Sequence, residues 1–212
     1  MKNTLRITTL VVGQMAANCY IVCDTSTNKA LIIDPGDDAE YIIDTILKLK
    51  VEPIGILLTH GHFDHVMAAL ELQLVFSIPF MMHDKDQFLL DRMSETASHF
   101  LHHEVLEQKA KVTKTIAAND TISVGNQTLK VIETPGHTPG SVSLYAKESG
   151  VIFVGDLLFQ GGAVGRTDHS YGRPLDLHDS IQTILNLPKR TIIYPGHGEQ
   201  TTVEDEMVYH ST

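Results

Sequence analysis

The sequence predicts an α/β fold in which two β-sheets pack together and helices cover the outside. Three observations point to it. Short β-branched, apolar runs occur in two series, one in each half of the chain, and each series ends in helix-periodic segments. The chain is 212 residues long, enough for one sizeable core and short for two. Hydrophobic residues make up 42% and charged residues 20%, an ordinary globular composition. No repeat, low-complexity tract or linker interrupts the chain, so residues 1–212 are expected to form a single domain.

Residues 5–12, 19–23 and 30–33 are apolar runs broken by Gly, Asn, Asp and Thr, as strands are. Asp34-Pro35-Gly36 makes a turn. Residues 37–50 carry Ile42, Ile43, Ile46, Leu47 and Leu49 near a helical period and stop before Pro53. Residues 54–58 form a short apolar run, which predicts a strand buried on both faces. Residues 65–76 show a helix pattern and 79–82 a strand. Residues 84–111 are charged with scattered apolar positions, predicting one or two surface helices. Residues 121–124, 128–133, 141–145 and 151–154 form the second strand series. Residues 160–174 are Gly-rich and read as a loop, 175–187 as a helix, and 191–194 as a last strand.

Charge and composition exclude several classes of function. Lys and Arg number 16 against 26 Asp and Glu, a formal net charge of -10. That balance does not attract nucleic acid, so no nucleic-acid partner is expected. No apolar run approaches the roughly 20 residues that span a bilayer, so no membrane association is expected either. The first residues lack a signal-peptide core, and the protein is expected to be cytoplasmic, acting on a small molecule. Cys19 and Cys23 are too few for a disulfide framework and read as small core residues. The unusual count is 12 histidines.

Thr59-His60-Gly61-His62-Phe63-Asp64-His65 follows an apolar strand and precedes a helix pattern. His60, His62, Asp64 and His65 lie within six residues, and imidazole nitrogen with carboxylate oxygen suits a divalent transition metal. Gly61 lets the backbone turn so that His60 and His62 converge. Asp64 and His65 are adjacent and so point apart, which favours two metal positions over one. A surface loop rich in histidine is the plainer alternative, but it has no reason to follow directly behind an apolar strand. Three further segments place a His or Asp just past a strand end beside Gly: His137 in Pro135-Gly136-His137, Asp156 in Gly155-Asp156, and His197 in Pro195-Gly196-His197-Gly198. Ligands of open sheets gather beyond the carboxyl ends of strands.

This series, His60-x-His62-x-Asp64-His65 followed by His137, Asp156 and His197, resembles the metallo-β-lactamase superfamily from residue 30 to residue 198. The resemblance implies an αββα sandwich with a binuclear metal site on one edge. It implies that His60, His62 and His137 hold one metal, that Asp64, His65 and His197 hold the other, and that Asp156 bridges them. It also implies a metal-bridging hydroxide as nucleophile, with Asp64 and Asp156 as the catalytic carboxylates. Zinc is the expected metal, with iron or manganese as alternatives. Asp34 is expected either as an outer carboxylate behind a ligand histidine or as a plain turn residue. His83, His99, His102, His103, His169, His178 and His210 lack the strand-end context and are expected to hold no metal; His169 alone sits beside the expected substrate site.

Within the superfamily the full Asp64-His65 pair and Asp156 look like the glyoxalase II group, whereas the commonest β-lactamases carry a Cys where Asp156 stands. Gly165-Arg166-Thr167-Asp168 resembles an element of compact glyoxalase-II-like hydrolases and of persulfide dioxygenases, and Arg166 is expected either to bind a substrate carboxylate or to pair with Asp168 or Asp176 and pin the loop. Fifteen residues follow His197, so the C-terminal helical domain of the two-domain glyoxalase II enzymes is not expected. Those enzymes carry a Tyr two residues past the last His ligand, where Glu199 stands here. They also place a Lys, then a Tyr two residues on, where this chain has Arg166 and Asp168. The expected activity is hydrolysis of a small thioester such as S-D-lactoylglutathione. The alternatives are an iron-dependent persulfide dioxygenase, a lactonase or β-lactamase, then a nuclease, and last a non-enzymatic binding module.

Overall fold

The apolar strand runs of the sequence build two six-stranded sheets in a computed structural model that describes residues 5–106 and 108–210. The first sheet contains β1 (Leu5–Val12), β2 (Ala17–Asp24), β3 (Lys29–Ile33), β4 (Glu52–Leu57), β5 (Phe80–Met82) and β6 (Lys114–Thr115), side by side in that order. Its first three strands pair antiparallel, and β3 to β6 pair parallel. The second contains β7 (Thr121–Val124), β8 (Gln127–Glu133), β9 (Val142–Ala146), β10 (Val151–Gly155), β11 (Ile192–Pro195) and β12 (Thr201–Thr202), again in chain order. Only β10 and β11 pair parallel there. Helix α1 (Ala39–Leu49) joins β3 to β4, and α2 (Ala69–Phe76) joins β4 to β5. Helices α3 (Gln87–Asp91) and α4 (Met93–Leu101) follow β5, α5 (Pro174–Leu185) joins β10 to β11, and α6 (Val203–His210) follows β12.

Strand periodicity sorts the core into layers. On β2, Cys19, Ile21 and Cys23 face Ile42 and Ile46 of α1 and Leu72 of α2. Tyr20 and Val22 face the other sheet, where Leu129, Val131, Leu144 and Phe153 meet Leu31, Ile33 and Leu57. On the far side, Ile152 and Val154 pack with Leu177, Ile181 and Ile184 of α5 and Val203 of α6. The layers are therefore αββα. A strand buried on both faces needs apolar residues at every position, which is why β10 reads as a continuous apolar run. Both cysteines are buried in the layer between the first sheet and its helices, as expected.

Two helices have other bounds than expected, and three short elements were not expected at all. The helix predicted over 65–76 starts only at Ala69, because residues 63–65 form a 3₁₀ turn and Val66, at φ -137, breaks the helical run. The segment 84–111 gives two surface helices, as expected, which seat Leu89, Leu90, Met93 and Ala97 on the core and leave Gln87, Asp91, Glu95 and His99 exposed; residue 107 lies outside the described residues. Helix α5 ends at Leu185 rather than at 187 and opens on Pro174, whose missing N–H costs nothing in a first turn. Helix α6 and the two-residue strands β6 and β12 escape the sequence reading: two residues have no period, and α6 is Val-Glu-Asp-Glu-Met-Val-Tyr-His, acidic with a sparse apolar face. Among the described residues no helix is long and apolar enough to cross a membrane.

Candidate metal centre

One edge of the sandwich collects residues from both sheets. His60 lies three residues past the end of β4, and the 3₁₀ turn at Phe63–His65 swings Asp64 and His65 back towards it. His137, Asp156 and His197 follow β8, β10 and β11. The edges are tied together by backbone: Val142 N–H donates to Thr59 O at 2.8 Å, and Asn18 N–H donates to Gly196 O at 2.7 Å. The Asn18 amide also donates to Pro195 O at 3.0 Å and Gly198 O at 2.9 Å, so β2 holds the loop that carries His197. Gly196 allows a close approach: a Cβ there would collide with Asp156 Oδ1.

Among the described residues three groups of potential ligand atoms converge; one, Asp34, His60 and His65, shares its histidines with the other two. His60, His62 and His137 form one, with His137 Nε2 only 2.9 Å from His62 Nδ1. Asp64, His65 and His197 form the other, with His65 Nε2 and His197 Nε2 at 3.3 Å and Asp64 Oδ2 3.3 Å from His197 Nε2. Asp156 stands between them. Its Oδ2 is 3.7 Å from His137 Nε2 and 3.7 Å from His197 Nε2, and its Oδ1 is 3.5 Å from His65 Nε2. Buried nitrogens aimed at one another, with His60 Nε2 and Asp156 Oδ1 making no hydrogen bond, are arranged as donor atoms that converge on one region. The donor set of nitrogen and carboxylate oxygen fits divalent transition metals. None of the seven other histidines joins these groups among the described residues.

The outward nitrogens are held. Asp34 is buried in the left-handed region at φ 51; it accepts from Thr59 N at 2.7 Å and from Thr59 Oγ1 at 2.6 Å. Thr59 Oγ1, its hydrogen so used, accepts from His60 Nδ1 at 3.1 Å, which leaves the Nε2 lone pair facing inward. Asp34 Oδ2 also lies 3.3 Å from His65 Nδ1, near enough to pair its charge though not aligned as a hydrogen bond. His137 Nδ1 lies 2.8 Å from Arg166 O and His197 Nδ1 3.2 Å from Ala16 O. Asp34 thus sits behind two of the histidines as an outer carboxylate, the first of its two expected roles.

Burial, then the neighbouring imidazoles, holds His60 and His62 well below the ordinary histidine pKa, so both are neutral and offer lone pairs. For Asp64, burial opposes ionisation, but His65 and His197 outweigh it and hold the carboxyl well below the usual range. For His65, burial disfavours charge, yet Asp64, Asp156 and Asp34 raise its pKa to about 10. A cation among those carboxylates competes directly with that proton.

The sequence reading missed Asp86 and Tyr171. The buried Asp86 carboxylate accepts from Gly61 N at 2.9 Å, Thr138 Oγ1 at 2.6 Å and Gly140 N at 2.7 Å, tying the His60–His62 loop to the His137 loop. Nothing local in a charged helical stretch marks it. Tyr171 Oη lies 2.9 Å from His62 Nε2. Arg166 lines a cavity of about 210 Å³ with His62, Asp64, His137, Asp156 and His197. Its guanidinium, however, donates to both oxygens of Asp168 at 2.9 Å, and the side chain is 61% exposed. A second cavity of about 500 Å³ adjoins, walled by Phe63, Leu89, Arg92, His99, Phe100 and Tyr171, and His169 lines both.

The sequence profile described as Metallo-beta-lactamase superfamily matches residues 12–197. Over 212 aligned residues the chain is 36% identical to the hydroxyacylglutathione hydrolase GloC of Haemophilus influenzae, covering 95% of each. It is 38% identical to the probable metallo-hydrolase YqgX of Bacillus subtilis, covering 92% of this chain and 91% of that protein. The crystal structure of the B3 metallo-beta-lactamase BLEG-1 is similar at TM-score 0.89 and 36% identity, covering 97% of this chain and 98% of that one. That of TTHA1623 in a di-iron-bound form is similar at TM-score 0.86 and 31% identity, covering 96% and 98%.

Proposed function

The chain belongs to the metallo-β-lactamase superfamily, and from that premise we propose that it is a binuclear metallohydrolase cleaving a small thioester, S-D-lactoylglutathione foremost. The observation that carries the reading is Asp156, a carboxylate within 3.7 Å of nitrogens from both ligand groups. His60, His62 and His137 would hold one cation, and Asp64, His65 and His197 the other, with Asp156 shared. Two bound divalent cations supply hydroxide near neutral pH and draw charge from a carbonyl oxygen. Zinc is the proposed occupant; the similar di-iron structure keeps iron, and with it manganese, in view.

A thioester asks least of the chain's own proton donors. Asp64 is held ionised and so can accept a hydrogen from the attacking water. A thiol has a pKa of ≈ 8.5 and departs as thiolate without a donor, whereas the nitrogen of an opened β-lactam needs a proton. The larger cavity of about 500 Å³, with Phe63, Leu89 and Phe100 on its walls and Arg92 and His99 among them, has room for an anionic thiol part. Arg166 is the proposed contact for a substrate carboxylate. Its pair with Asp168 is solvent-exposed and worth little, so a substrate carboxylate can exchange for it.

A β-lactam substrate is the second reading, favoured by the likeness to BLEG-1. A panel of thioesters, lactones, β-lactams and glutathione persulfide, run on metal-loaded protein, separates the readings. The proposal expects thiol release from S-D-lactoylglutathione to exceed turnover of every other member. Faster opening of a β-lactam would replace it with the second reading.

A further inference from the structure

We propose that Tyr171 is a positioning residue for the first metal position, holding the His62 ring so that its Nδ1 faces the cluster. The inference rests on the metal reading above. His62 Nδ1 is the inward nitrogen, 2.9 Å from His137 Nε2. An imidazole that ligates through Nδ1 commits that lone pair, so the neutral ring carries its hydrogen on Nε2. That N–H points at Tyr171 Oη, 2.9 Å away, and donates to it. Without such an acceptor a histidine ring is free to rotate about its χ2, and the tautomer that ligates through Nδ1 is no longer selected.

The phenol is itself held from two sides. Its ring lies nearly parallel to His169, with centroids 5.2 Å apart at 18°, and meets Phe88 edge-on at 5.3 Å and 70°. Its backbone belongs to the loop between β10 and α5. The same loop supplies the Arg166 carbonyl that accepts from His137 Nδ1 at 2.8 Å. One loop therefore restrains two of the three rings of the His60–His62–His137 group, one through backbone and the other through Tyr171. Because Tyr171 also lines both cavities, the residue that fixes His62 is at the same time a wall of the space where substrate would sit.

Tyr171→Phe keeps both ring contacts and removes only the acceptor. Zinc titration in competition with a chromophoric chelator should show one of the two affinities about tenfold weaker than in the wild type, the scale on which outer partners of metal ligands act. The melting temperature of the metal-free protein should not change, and the visible bands of the cobalt-loaded variant should shift. Tyr171→Leu, which also loses the stack on His169, should weaken the same affinity further. Both affinities staying within about twofold of wild type would overturn the proposal. So would an equal fall of both affinities together with a lower melting temperature of the metal-free protein, since that pattern marks a general loss of structure. Wild-type protein that binds no zinc would instead sink the metal reading itself, so the two failures are distinguishable.

Discussion

At the scale of single residues, the ligand assignments make separable predictions. Asp156 reaches nitrogens of both groups, so Asp156→Ala should lower the occupancy of both metals, whereas His197→Ala should mainly empty one. Elemental analysis after gel filtration reads this directly, and full retention of both metals in Asp156→Ala would reject the bridging role. Arg166→Ala tests the substrate contact. As a carboxylate partner, Arg166 should matter to KM for a carboxylate-bearing thioester by about tenfold and leave a neutral thioester unchanged. If its work is only to stiffen the loop through Asp168, both substrates should suffer alike and the melting temperature should fall.

At the scale of elements, two buried carboxylates tie turns and loops into the sandwich. Asp24, at the end of β2, accepts from the backbone N–H groups of Ser26 at 2.9 Å and Asn126 at 2.7 Å and from the hydroxyls of Ser26 and Thr27. It thereby joins the β2–β3 turn to the β7–β8 turn. Burial by itself would raise its pKa, but those donors outweigh burial and bring it down to about 2. A folded value below the unfolded one means the stabilisation is fully present above about pH 4 and is lost as pH falls towards the folded pKa. The melting-temperature gap between wild type and Asp24→Asn should therefore be constant from neutral pH down to about pH 5 and close below it. A gap that ignores pH would contradict this. Glu206 of α6 plays a similar part for the loop after Asp156, accepting from Gly161 N at 3.0 Å, Gly162 N at 2.9 Å and Thr201 Oγ1 at 2.7 Å. Glu206→Ala strands those donors and should cost about 1–3 kcal/mol in urea unfolding. A loss within error of zero would show the loop to be held by other contacts.

At the scale of the whole molecule, the ligand groups draw on both sheets. His60, His62, Asp64 and His65 follow β4 of the first sheet, while His137, Asp156 and His197 follow strands of the second. Cations bound among them would link the two layers, and a ligand that binds only the folded state raises its stability by mass action. Thorough chelation should lower the melting temperature by several degrees and abolish hydrolysis, and added divalent metal should restore both. With metal present, kcat/KM should rise with a single apparent pKa and then level off. Hydrolysis that survives with no bound metal would sink the mechanism.

The sequence by itself determined the layers and singled out the His and Asp residues that the structure gathers at one edge, because both are written in local signals. Two-face burial makes strands such as Val151–Gly155 continuously apolar, and a His or Asp beside Gly after such a strand lies at the sheet edge. Asp34 was legible in the same way, as a carboxylate in a turn after β3. What the tertiary structure alone decided is how those groups are held. Asn18 grips the loop of a strand some 180 positions away, Asp86 joins two ligand loops from a charged helical stretch, and Tyr171 meets His62 across 109 positions. None of these contacts has a period or a spacing, since each is a hydrogen bond, or a few, between distant segments. Such bonds exist only once the core has packed the strands and brought their ends to one edge.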